Sequence, residues 1–102
     1  MFRLFIVLLL FSSNAFAGNP FCQKSYREVL NYLDKQDGVL YDRYKRGIIS
    51  WKERTEISFK NKDQTRDDLM LIYSNSWDGS DDLCFQAKTR VIDTIKMNMA
   101  VE

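Results

Sequence analysis

The chain has 102 residues, 15 Lys and Arg against 14 Asp and Glu, and no histidine. That length suits one domain rather than two, and near-balanced, interspersed charge excludes the basic surface that nucleic-acid phosphates require. Without histidine the chain lacks the usual base for a Ser or Cys nucleophile and the usual nitrogen ligand of a zinc site.

The first element in chain order is an export signal. Met1-Phe2-Arg3 is a short basic start, Leu4 to Phe11 is an unbroken apolar run, and Ala15-Phe16-Ala17 puts small residues where a signal peptidase cuts. The run is too short to span a bilayer, which takes about 20 residues, so no stable membrane anchor is expected once the signal is cut. Residues 1–17 are thus expected to be removed near Ala17-Gly18, leaving one helical domain over 18–102 with equal numbers of basic and acidic residues. The expected location is periplasmic or secreted.

The remainder reads as helical. Asn19-Pro20 is a helix start, a capping residue with proline at the first helical position. Cys22, Tyr26, Val29, Leu30 and Leu33 follow at helical spacing. Asp37-Gly38 is a turn signal that is expected to end this helix. A short second helix is expected from Val39 to Arg46, stopped by Gly47.

Ser50-Trp51-Lys52-Glu53 spells a capping box. Beyond it Trp51, Thr55, Phe59, Arg66, Met70, Tyr73 and Trp77 share one stripe, compatible with a single long helix. However, Lys60 to Asp68 holds no strongly apolar residue, and Thr65-x-x-Asp68 offers a second cap; two helices are favoured, with a break near Asn61 to Gln64. Asp78-Gly79 closes the stretch. Ser80 is expected to cap a last helix, with Asp81 and Asp82 favourable at its dipole and Leu83, Ala87, Val91, Ile95 and Met99 on its buried stripe.

Cys22 and Cys84 are the two cysteines. In an oxidising compartment they are expected to pair with each other, pinning the starts of the first and last helices. The expected architecture is therefore all-α, a small orthogonal four- or five-helix bundle closed by one disulfide.

Little in the chain suggests catalysis. Asp67-Asp68 and Asp81-Asp82 are sequence neighbours, which do not face each other on a helix, and Glu53 is accounted for by its capping box. Asp78-x-Ser80-x-Asp82 lacks the further ligands of a calcium loop. No enzymatic activity, cofactor or metal is expected. The aromatic residues are more telling: Tyr26, Tyr32, Tyr41, Tyr44, Trp51, Phe59, Tyr73, Trp77 and Phe85 are many for a small domain, and about two thirds are expected in the core. Tyr41, Arg43, Tyr44, Arg46 and Trp51 combine the residue types that anchor protein interfaces and form the candidate partner-binding segment.

With Cys22 just after the signal and Cys84 ahead of a closing helix, the layout resembles phage-encoded periplasmic regulators. These include Spackle-type superinfection-exclusion proteins, which inhibit a tail lysozyme, and antiholin domains that time lysis. The strongly apolar Leu4 to Phe11 differs from the weakly apolar anchor of the antiholin type. The resemblance implies a non-enzymatic protein that binds and inhibits a cell-wall hydrolase, toxin or lysis factor. The layout is also similar to that of HdeA-type acid-stress chaperones, which implies the alternative of client protection at low pH.

Overall fold

A computed structural model describes residues 18–100; the expected signal, residues 1–17, lies outside the described residues. Three helices occupy nearly all of them: α1 (Pro20–Lys45), α2 (Trp51–Asp78) and α3 (Asp81–Ala100). There is no strand among the described residues.

The start of α1 follows from its first two residues. Asn19 Oδ1 accepts from the Phe21 and Cys22 N–H groups at 2.9 and 3.1 Å, and Pro20 supplies no N–H that needs a partner. The other end is closed by two bonds around Gly47, whose φ of +76° is costly for any residue with a Cβ. Gly47 N–H donates to the Tyr44 carbonyl and Ile48 N–H to the Arg43 carbonyl, the paired closure of a Schellman motif. The capping box forms as expected: Glu53 N–H donates to Ser50 Oγ at 3.0 Å, and Ser50 N–H to Glu53 Oε1 at 3.1 Å.

Two expected breaks are absent. α1 runs unbroken through Asp37-Gly38, and α2 runs unbroken through Asn61 to Gln64, so the described residues form three helices where four or five were expected. At the first position, Asp37 is tied to α2 by a hydrogen bond from Ser58 and an ion pair with Lys62, while Leu40 beyond it is fully buried. Packing on both sides outweighs the cost of about 1 kcal/mol for a glycine inside a helix. At the second, the polar stretch is helical because its polar side chains face inward and are satisfied there: Asn61 and Thr65 are buried, and Thr65 Oγ1 donates to the Asn61 carbonyl at 2.6 Å.

The packing is up-down-up and lengthwise rather than orthogonal. Antiparallel α1 and α2 meet at Tyr26–Tyr73 near one end and at Asp37–Ser58 toward the other. Antiparallel α2 and α3 meet at Asp68–Arg90 and Asn61–Asn98. α1 and α3 run parallel, from Cys22–Cys84 through Glu28–Lys88 to Arg43–Met99. Short connections, Arg46 to Ser50 and Gly79-Ser80, leave neighbouring helices little choice but to lie alongside each other.

The disulfide is present: Cys22 and Cys84 are bonded, with Cα atoms 5.5 Å apart and both residues fully buried. Asn19 Nδ2 reinforces the same end by donating to the Gly79 carbonyl at 3.0 Å and the Asp81 carboxylate at 2.6 Å. The core is thin, built from Val29, Leu40, Ile49, Ile72, Val91, Ile95 and Met99 with Ala87 and the bridge itself. The expected stripe of α3 is buried at Ala87, Val91, Ile95 and Met99, but Leu83 is 43% exposed and Cys84 takes the inward position.

Candidate interaction surface

The aromatics are not in the core. Among the described residues no Phe, Tyr or Trp is fully buried; Tyr26, Tyr32 and Tyr44 are half-buried and the others exposed. The expectation that most would be core fails because three helices joined by short turns approach closely through small side chains. α2 presents Ser58, Asn61, Thr65 and Ser76 to its neighbours together with Ile72, leaving its large rings outside.

The candidate segment Tyr41 to Trp51 forms a local cluster where the end of α1 meets the start of α2. Tyr44 and Trp51 make an edge-on contact with ring centroids 5.1 Å apart, and Tyr41 lies 6.2 Å from Tyr44. Tyr41 and Trp51 are 46% and 53% exposed, so each ring is supported on one side and open on the other. The Gly47 closure and the Ser50–Glu53 box fix the intervening turn at both ends, which holds the two helix ends in place.

Two cations dress this cluster, and neither was among the candidates. Arg54 lies over the Trp51 ring at 4.9 Å and Lys45 over the Tyr41 ring at 5.7 Å, both within the range of a cation–π attraction. The signal for them was spacing: Arg54 follows Trp51 by three residues and Lys45 follows Tyr41 by four, which puts each pair on one helix face. The two arginines that were candidates behave differently. Arg46 pairs with Asp42 at 3.0 Å on the surface. Arg43 crosses to α3 and donates from Nη1 to the Met99 carbonyl at 3.0 Å, near the negative end of that helix dipole. The structure thus brings together Tyr41, Tyr44 and Trp51, with Arg43 bonded to the Met99 carbonyl and Arg46 paired with Asp42.

Elsewhere several ionisable groups tie one helix to another. The Lys88 ammonium hydrogen-bonded to Glu28 holds its carboxyl below the ordinary carboxylate range, against a smaller opposing effect of burial. At Asp37 burial pushes the carboxyl up, and the hydrogen bonds from Ser58 and Lys62 outweigh it, so the net shift is downward. Arg90 grips one oxygen of Asp68 through both Nε and Nη2, at 3.0 and 2.8 Å. Among the described residues no three acids or cysteines gather as metal ligands, and no helix is long and apolar enough to cross a membrane.

A groove of about 550 Å³ runs between α1 and α2, walled by Leu30, Leu33, Leu69, Met70 and Tyr73 with Asp37 and Lys62 at one end. Comparison with known proteins finds no matching family model, no similar curated protein and no similar solved structure.

Proposed function

We propose that this is an exported, non-enzymatic protein that binds and blocks another protein, and that the Tyr41–Tyr44–Trp51 cluster is its contact surface. The observation that carries the proposal is the cluster's construction: exposed rings in edge contact, flanked by Lys45 and Arg54 and held by two capped helix ends. Rigid aromatic anchors beside cations are the side chains that dominate protein interfaces, because they bury large areas at little entropic cost. The internal disulfide is consistent with an oxidising compartment, and with the signal-like segment it supports work in the periplasm or outside the cell. Targets of suitable kind there are a cell-wall hydrolase, a toxin or a lysis factor. The acids support a binding role rather than a catalytic one, since Glu28, Asp37, Glu53 and Asp68 are each engaged in holding helices together or capping them. Titrating the purified chain into cell-wall hydrolases, phage lysozymes among them, is expected to give stoichiometric inhibition of a target; hydrolysis by the chain itself, or inhibition of none, counts against the proposal.

A second reading, an acid-stress chaperone, draws on Glu28 and Asp37, whose ion pairs are lost on protonation. It requires loosening and client protection in acid. Light scattering of aggregating client proteins near pH 3 separates it from the first reading.

A further inference from the structure

The outward face of α2 carries a pattern that the cluster around Trp51 does not use. From Lys52 to Trp77 every residue reached by alternating steps of four and three is exposed, while Ser58, Asn61, Thr65 and Ser76 are buried on the opposite side. That stepping is the a/d repeat of a coiled-coil seam. It extends about 37 Å at the rise of an α-helix, and its apolar members are well exposed: Phe59 by 69%, Met70 by 60% and Trp77 by 58%.

The order of residues along the seam is complementary to its own reverse. Laid antiparallel on a second copy, with the two-fold axis between Gln64 and Thr65, Asp63 meets Arg66 of the second copy and Arg66 meets its Asp63. One layer outward, Phe59 meets Met70. Further out, Glu56 faces the Tyr73 hydroxyl edge, and at the ends Lys52 lies against Trp77, a cation–π pair. A parallel arrangement instead sets Asp63 on Asp63 and Arg66 on Arg66. Sliding the antiparallel register by one heptad places Asp63 against Tyr73 and Arg66 against Met70 in one direction; in the other it sets Arg66 against Glu56 but Asp63 against Phe59. The register centred between Gln64 and Thr65 is, of these three, the one that opposes Asp63 to Arg66 and Phe59 to Met70 together.

We propose that the chain self-associates as an isologous antiparallel dimer through this α2 seam. The proposal goes beyond the binding function above, because Tyr41, Tyr44 and Trp51 are not seam positions and the dimer leaves one such cluster at each end. Asp63 and Arg66 are exposed and lie 4.0 Å apart on the helix surface, so exchanging their charges leaves the interior untouched.

Sedimentation equilibrium of the purified, disulfide-bonded chain at about 100 μM, a hundredfold above a micromolar dissociation constant, is expected to return a dimer. Asp63→Arg or Arg66→Asp alone is expected to weaken self-association by about a hundredfold, since each sets like charges opposite one another at the two-fold axis. An equimolar mixture of the two variants is expected to dimerise again, because each supplies the charge that the other needs. Helical circular dichroism of each variant checks that it is folded. A wild-type monomer at that concentration, a dimer indifferent to Asp63→Arg, or variants that stay monomeric when mixed would each overturn the proposal. A wild-type monomer would leave this face to a foreign protein.

Discussion

Asn98 of α3 donates from Nδ2 to Oδ1 of Asn61 on α2 at 2.9 Å, between two side chains that are almost entirely shielded from water. The same Nδ2 lies 3.1 Å from Gln64 Oε1, and Asn61 Nδ2 points at the Met99 sulfur at 3.6 Å. A polar contact in so thin a core fixes the register of α2 against α3, because sliding either helix by a turn leaves buried amides without partners. Asn98→Ala is therefore expected to cost about 1–3 kcal/mol by leaving Asn61 Oδ1 unsatisfied, and Asn61→Ala to cost less, because Asn98 Nδ2 keeps Gln64. Replacing both by Leu is expected to cost less than the sum of the single losses. Urea unfolding of the three variants tests this; additive losses would show that the two amides act independently.

The disulfide contributes through the unfolded chain. Cys22 and Cys84 are separated by 62 positions, and closing a loop of that length restricts the unfolded ensemble by about 4 kcal/mol. Cys22→Ala/Cys84→Ala is expected to lower stability by about that amount, a large share of what a small domain has. Urea midpoints measured on the double variant and the oxidised parent provide the check. A double variant as stable as the parent would mean that the Asn19 ties and the α1–α3 contacts hold that end unaided.

Acid is expected to loosen the bundle, and the sign follows from the two depressed carboxyls. Glu28 and Asp37 titrate below their ordinary values of 4.5 and 3.8 in the folded state. Their contribution is fully present above those values and is lost as pH falls through the folded ones. The urea midpoint is expected to be lower at about pH 3 than at about pH 7, and Asp37→Asn should flatten that dependence while lowering the midpoint at neutral pH. Equal midpoints at both pH values would contradict the assignment.

The helix starts were legible because they are local: Asn19-Pro20 and Ser50 with Glu53 each carry their own hydrogen-bonding logic. The Gly47 stop and the cysteine pairing were legible for similar reasons. The breaks expected at Asp37-Gly38 and Asn61 to Gln64 were not, since what overrides them lies on another helix: Ser58 and Lys62 for the first, Asn98 for the second. The α2 stripe was visible as a stripe, but which side of it faces the core depends on whether Asn61 and Thr65 find partners, and periodicity carries no such information. The three rings of the candidate surface were legible as a segment, whereas the roles of Arg43 and Arg46 were set by Met99 and Asp42.

Gly38 gives a direct check on helix continuity. A Cβ there meets nothing within 4 Å, and the residue is in the interior of α1 with no positive φ. Gly38→Ala is expected to stabilise the protein by about 0.5–1 kcal/mol through lower entropy of the unfolded chain. Thermal unfolding measures it. Destabilisation would signal a turn at Asp37-Gly38 instead of a continuous helix.

The central claim is that the Tyr41–Tyr44–Trp51 cluster captures another protein, and paired affinity capture from a cell-envelope extract tests it most directly. Immobilised wild-type chain is expected to retain a partner in stoichiometric amount, and Tyr41→Ala and Trp51→Ala, both at exposed rings, to weaken retention by about 2 kcal/mol each without loss of helicity. Retention of the same partner, undiminished, by a folded Tyr41→Ala/Trp51→Ala variant would contradict the claim.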